Sequence, residues 1–363
     1  MSHSTQGAVQ KHAELSYPWP DAPERGNWQT IAEGVVWLRM PLPLALDHIN
    51  LYLLRHDNGW VIVDTGLATR RSHEVWERVF REVMEDAPVK AVIATHFHHD
   101  HAGCLGWLST RFQCPVYMTQ GEYHALFINP PEDGQLGWEA QRYYERCGVP
   151  EQVLETFAEA MASSPFKQDA PGSFQRLSEH QILRIGGRDW EVVIGSGHSP
   201  EHACLLCRQD NLFLSGDQVL PRITSSIGVF NVEPDANPLG DWLRSIRRLR
   251  RVPDDVLVLP AHELPFYGLH HRLTQLMDHH LAHFDVILEQ LVQPMTVYEL
   301  MLILFPRARS AFDVMMANGE TLAHLNYLMA EERVVRRTEG NCYRYQSTRK
   351  TYEALAGEAV THI

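Results

Sequence analysis

From Thr95 to Gly103 the chain reads Thr-His-Phe-His-His-Asp-His-Ala-Gly, so His96, His98, Asp100 and His101 stand in the spacing H-x-H-x-D-H. Imidazole and carboxylate together are the donor set for zinc or a similar divalent ion. Four such groups within six residues cannot all splay into solvent on one short turn. A bare polyhistidine stretch would not place an aspartate in register after the apolar run 90–95. The segment therefore predicts metal binding, and it does not close a coordination sphere by itself, so further donors should arrive at other strand ends. They do: Ile194-Gly-Ser-Gly-His198 puts a histidine in a glycine-rich turn, Leu214-Ser-Gly-Asp217 a carboxylate after the next strand, and Pro260-Ala-His262 a histidine after the last. A lone residue of this kind is an ordinary turn or capping residue. Four loops delivering donors in series are hard to attribute to chance.

Other residues carry weaker signals. His202, four positions after His198, either supports a ligand or faces substrate, against a plain helix-start histidine. Tyr267 reaches the mouth of the site or packs, and Arg222 either faces a substrate carboxylate or phosphate or is merely solvated. Cys204-Leu-Leu-Cys207 has the look of a zinc or redox pair, but it lies in an extended run where residues three apart point to opposite faces. His270, His271, His279, His280 and His283 fall on one long helical pattern, where solvated or packing histidines are expected.

The elements that must position these groups follow from periodicity. Extended runs cover 35–40, 50–55, 60–63 and 89–95, with Asn58-Gly59 as a hairpin turn, and helical periodicity fits 69–85 and 102–112. An insert at 119–172, rich in aromatics and helix formers and broken by Asn129-Pro-Pro131, is expected to cover the site. Strand patterns return at 181–185, 190–194, 203–208 and 212–214, followed by a helix at 241–251 whose five arginines form a solvated face, and a short strand at 256–259. A linking helix spans 268–293 and Pro294 stops it. Thr296-Val-Tyr-Glu299 reads as a capping box before a helix, another helix is expected at 320–332, and 334–345 reads as a hairpin. Helix, helix and ribbon over 294–350 predict a winged-helix-like α+β domain, after which 351–363 is a tail.

The 363 residues, 44% hydrophobic and 21% charged, suit a main catalytic domain over 27–267 and a smaller second one, behind a flexible segment over 1–26. A formal charge of -13 opposes indiscriminate binding to phosphate backbones or anionic lipid. Six cysteines without a framework spacing, and no apolar stretch in 1–26, point to a reducing cytoplasmic setting. No run approaches the roughly 20 apolar residues of a membrane span.

Taken in order, Val63-Asp64-Thr-Gly66, Thr95-His96-Phe-His98-His-Asp100-His101-Ala-Gly103, Gly197-His198-Ser, Ser215-Gly-Asp217 and Ala261-His262 resemble the motifs of the metallo-β-lactamase fold superfamily, and within it the glyoxalase II-like hydrolases. The resemblance covers about residues 30–265. It implies an α/β fold, a four-layer αββα sandwich with a dinuclear centre at one edge. Carried over by position, His96, His98 and His198 hold the first metal, Asp100, His101 and His262 the second, and Asp217 bridges them. Asp64 matches an aspartate that braces the ligand loop without binding metal. The two divalent ions would be zinc, with iron or manganese accepted by the same donors. Catalysis would then rest on a metal-bridging hydroxide oriented by Asp100 and Asp217, with Asp64, His202 and Tyr267 in support.

Departures narrow the chemistry. Zinc β-lactamases resemble this chain except for a cysteine where Asp217 stands, and flavodiiron proteins carry a glutamate where His98 stands. The long insertion of related nucleases is not evident between Asp217 and His262, only 45 positions apart. A hydrolase of small esters or thioesters remains as the leading expectation. The alternatives are an RNA or nucleotide phosphodiesterase, a lactonase, or a persulfide enzyme using one iron. Residues 294–350 hold eight Arg or Lys against six acids, and no cation lies between Gly319 and Glu332, so this region predicts packing or dimerisation ahead of RNA contact. A non-catalytic regulator is disfavoured because all seven ligand positions are filled.

Overall fold

A computed structural model gives the architecture and describes residues 14–43, 46–128, 136–162 and 169–348. Seven strands form one sheet in chain order: β1 (Trp28–Ala32), β2 (Val35–Pro41), β3 (His48–His56), β4 (Gly59–Val63), β5 (Val89–Ile93), β6 (Val116–Met118) and β7 (Gln175–Arg176). Pairing is antiparallel from β1 to β4 and parallel from β4 to β7. The second sheet contains β8 (Ile182–Ile185), β9 (Arg188–Gly195), β10 (His202–Cys207), β11 (Leu212–Gly216) and β12 (Leu257–Pro260), ordered β12-β11-β10-β9-β8.

The two-residue period of a strand explains how the layers form. In β3, Ile49, Leu51 and Leu53 enter one core with Trp76, Val79, Phe80 and Leu108, while Tyr52 and Leu54 enter another with Trp190, Val192, Leu205 and Leu259. The first core joins a sheet face to helices; the second joins sheet to sheet. These two cores join three of the four layers of an αββα sandwich. Both faces of β3 are covered, which is why its sequence is nearly continuous in apolar residues. The helix Arg70–Glu82 is capped by Thr69, whose hydroxyl accepts from the Ser72 N–H, and it buries Val75, Trp76, Val79 and Phe80. Each large side chain so buried contributes about 1.5–3 kcal/mol.

The chain divides into two compact units: residues 1–128, 166–225 and 245–275 in the first, and 129–165, 226–244 and 276–363 in the second. Both sheets described above belong to the first unit. The second contains the helices Trp138–Cys147, Glu151–Ala162, Val297–Leu304 and Ala311–Ala330 and the ribbon of β13 (Val334–Glu339) and β14 (Cys342–Ser347). The Thr296 capping box forms in full, with Thr296 and Glu299 each accepting the other's backbone N–H. No helix among the described residues is long and apolar enough to cross a membrane.

Several expected boundaries move. The helix expected at 102–112 is two helices, His99–Ala102 and Leu105–Phe112, interrupted at Gly103-Cys104. The helix expected at 320–332 starts nine residues earlier, at Ala311 behind a second capping box from Ser310 and Asp313. Gly319 sits inside this helix where another backbone passes close: its carbonyl accepts from the Val229 N–H at 3.0 Å. The segment expected to be flexible is packed from Glu14 onward, with Ser16 bridging Tyr267 and Trp19 against the inter-sheet core. The expected insert is divided: its first helix, Gln120–Ala125, lies in the first unit, and 129–165 in the second. The expected tail at 351–363 lies outside the described residues.

Candidate metal centre

The donor loops do converge, from the ends of β5 in one sheet and of β9, β11 and β12 in the other. His96, His98, His198 and Asp217 form one group and Asp100, His101 and His262 another, the donor atoms of each group lying within 4.8 Å of one another. His96 Nε2 is 2.8 Å from His98 Nδ1 and 3.2 Å from His198 Nε2. The Asp217 carboxylate stands between the groups: Oδ2 is 3.4 Å from His198 Nε2 and 3.5 Å from His101 Nε2, and Oδ1 is 3.4 Å from His262 Nε2. Asp100 Oδ2 is 3.4 Å from His262 Nε2.

These contacts fit divalent metal ions better than they fit each other. Ligand atoms about 2.0–2.1 Å from a tetrahedral zinc ion are about 3.3 Å apart, close to the separations above. Burial holds His98 down to about 3 and His96 well below its usual range, so both imidazoles are neutral near pH 7 and direct lone pairs inward. The His101 Nε2 and Asp217 Oδ1 atoms are buried with no hydrogen-bond partner among the described residues. Burial opposes charge on His101, yet Asp64, Asp217 and Asp100 outweigh it and raise its pKa; burial likewise opposes charge on Asp217, and His262 and His101 outweigh that and lower it. Concentrated negative charge facing imidazole nitrogens calls for a cation.

Several donors are oriented from outside the cluster. Asp64, at a φ of 61°, accepts from the Thr95 N–H at 2.7 Å with one oxygen and meets His101 Nδ1 at 2.8 Å with the other, leaving His101 Nε2 for the cluster. His202 starts β10 rather than a helix, and its Nε2 accepts from the Asp217 N–H at 3.1 Å. Completely buried, His202 braces the Asp217 loop from beneath and does not face substrate. Only glycine fits before Asp217: a Cβ on Gly216 would lie 2.4 Å from the His202 ring, and its φ is +51°. Tyr267 lies apart from the metal groups, pairing its backbone with Ser16 while its ring packs on the inter-sheet core. Arg222 is largely exposed, near Glu263 at 3.9 Å and over the Tyr17 ring at 5.5 Å.

Three orienting residues gave no signal in the sequence. The His48 carbonyl meets His262 Nδ1 at 2.9 Å, fixing which nitrogen faces the cluster. Asn50, buried in β3, donates to the carbonyls of Pro260 and Glu263 and so anchors the loop that carries His262. Glu122 is wholly buried, and one carboxylate oxygen accepts from the Phe97 N–H while the other accepts from the Ser199 hydroxyl and the Glu201 N–H. It therefore ties the loop of His96 and His98 to the loop of His198. Burial pushes its pKa up to about 7 against the pull of those three donors.

Residues 44–262 match the Metallo-beta-lactamase superfamily. The chain belongs to that superfamily. Residues 284–348 match a family described as the metallo-beta-lactamase-like C-terminal domain. Among solved structures, a beta-lactamase domain protein from Burkholderia ambifaria is similar with a TM-score of 0.85 and 36% identity, over 92% of this chain and 98% of that one. A probable metallo-hydrolase, YqjP of Bacillus subtilis, is 25% identical over 88% of this chain and 99% of its own length. The human acyl-coenzyme A thioesterase MBLAC2 is 25% identical over 53% of this chain and 65% of its own length. The His and Asp clusters of this chain are suited to a dinuclear metal centre.

Proposed function

We propose that the chain is a dinuclear metal-dependent hydrolase acting on a small ester, and best on a thioester. The observation that carries this reading is the Asp217 carboxylate shared between two convergent donor groups, a placement that suits two ions held side by side. His96, His98 and His198 would hold one ion, Asp100, His101 and His262 the other, and Asp217 both. When bound, the ions supply Lewis acidity that brings the pKa of water toward neutrality and polarises a substrate carbonyl. The protein's share is positional: Asp64, His202, His48 and Glu122 hold the donors in place, so little reorganisation is needed as charge develops on the carbonyl.

The leaving group separates the candidate substrates. A thiol has a pKa near 8.5 and departs as thiolate with little proton donation, whereas an alkoxide demands an acid. Among the described residues no neutral acid stands in the donor groups, and Tyr267 lies elsewhere. The thioesterase relative points the same way, although a shared fold alone would not decide substrate. RNA cleavage is less well supported: Arg336 is paired with Asp235 at 2.8 Å, Arg344 with Glu339 at 3.1 Å, and the helix Ala311–Ala330 has no Lys or Arg. Metal analysis of the purified protein, run beside assays on an acyl thioester, a lactone, bis(p-nitrophenyl) phosphate and single-stranded RNA, tests the proposal. Two metals per catalytic cluster with thioester turnover are expected; efficient RNA cleavage with inert thioesters would overturn the ranking.

A further inference from the structure

A second set of donors lies in the other unit. His279 and His283 stand one helical turn apart on the helix Leu269–Gln290, and Glu320 comes from the helix Ala311–Ala330; one donor atom from each lies within 4.8 Å of the other two. Histidines at i and i+4 share a helix face, which suits them to clasp one ion. Two of the three donors, His283 and Glu320, carry atoms with no hydrogen bond among the described residues. His283 Nδ1 is buried with no hydrogen bond, and the Glu320 carboxylate, partly buried, has no hydrogen bond or ion pair among the described residues.

The neighbouring histidines are otherwise engaged. His280 Nδ1 meets His324 Nε2 at 3.1 Å, and His324 Nδ1 meets the Glu320 carbonyl at 2.8 Å. That pair fixes the two helices against each other and leaves the three donors facing one point. Burial keeps His283 down to about 4, so its lone pair is available at neutral pH.

We propose that His279, His283 and Glu320 form a separate binding site for a divalent ion of the zinc class. Two imidazoles and one carboxylate are a donor set that zinc accepts, with a fourth position for water on the side of His279, the most accessible of the three. The ion joins the two helices and stabilises the second unit.

The test uses the full chain, stripped with a chelator and titrated with Zn²⁺, the bound metal being counted by mass spectrometry. The wild type is expected to hold one more Zn²⁺ per chain than either His279→Ala or Glu320→Gln. The catalytic-cluster variant His98→Ala retains that extra ion, so failure of the dinuclear reading and failure of this one are told apart. Co²⁺ loading gives a second readout: His279→Ala removes a set of visible bands that His98→Ala leaves in place. Because His279 is accessible, its substitution spares folding. Equal Zn²⁺ counts and affinities in the wild type and in His279→Ala would overturn the site.

Discussion

Glu122→Gln tests whether the ligand loops are held from outside the cluster. The native carboxylate receives three donors: the Ser199 hydroxyl at 2.7 Å and the Glu201 N–H at 2.7 Å on one oxygen, and the Phe97 N–H at 3.0 Å on the other. A glutamine offers a single carbonyl oxygen. Placed toward Ser199 and Glu201 it keeps two contacts, and its NH₂ then opposes the Phe97 N–H, donor against donor. An orphaned buried N–H costs about 1–3 kcal/mol. Phe97 lies between His96 and His98, so this cost is relieved only by moving the loop that carries two donors. If most of it appears as lost preorganisation, at about 1.4 kcal/mol per factor of ten, metal affinity falls roughly 10- to 100-fold. Chelator competition on the purified variant measures this, and urea unfolding of the stripped protein separates affinity from stability. Wild-type metal affinity in Glu122→Gln would refute the reasoning, because the three contacts would then be incidental to the cluster.

Asp64→Asn should act on the second donor group. With one acceptor left for both the Thr95 N–H and His101 Nδ1, His101 loses its fixed tautomer, and chelator competition should show metal binding weakened about 10- to 100-fold. Gly319→Ala would gain about 1 kcal/mol on helix propensity alone. Its Cβ would lie 3.0 Å from the Val229 carbonyl oxygen and 3.1 Å from the Phe230 ring, so urea unfolding should show that gain cancelled or reversed. In protein stripped of metal, burial raises the Glu320 carboxyl from 4.5 to about 7, so the native state binds more protons than the unfolded one between those values. Stability is then lost as pH rises through that window, by up to about 3 kcal/mol, and Glu320→Gln should flatten this part of the pH profile.

The donors were legible in the sequence because each is a residue type with specific chemistry placed at the end of an apolar run, and the fold followed because β3, β5 and β11 alternate or saturate with apolar side chains in the way buried strands must. What orients the donors was not legible. Glu122 sits in the first turn of a short helix, where an acid is ordinarily a solvated residue favoured by the helix dipole, and its partners are 25 to 79 positions away. His48 acts on His262 through a backbone carbonyl, which any residue would have offered. For His202 the sequence left support of a ligand, a face toward substrate and a helix start all open; only the pairing of β10 with Gly195 of β9 places it at a strand start beneath the Asp217 loop. Local pattern reports residue type and period, and these roles depend on tertiary contact.

The orienting contacts also fix a thermodynamic relation between metal and fold. Asp64, His202, His48 and Glu122 hold the donors close whether or not an ion is present, so the stripped protein keeps imidazole nitrogens 2.8 and 3.2 Å apart and a buried Asp217 oxygen with no hydrogen bond among the described residues. That arrangement is costly in the folded state and absent from the unfolded one. Metal binds the folded cluster in preference, so it should raise unfolding stability by about 2.7 kcal/mol at a free concentration 100 times the dissociation constant. Differential scanning calorimetry with and without a chelator measures the shift. The midpoint should fall on stripping, and the fall should be smaller in Glu122→Gln, whose looser loops relax when the ions leave. An unchanged midpoint would mean that the folded cluster binds the ions no better than the unfolded chain does, and the metal centre inferred from these contacts would be wrong.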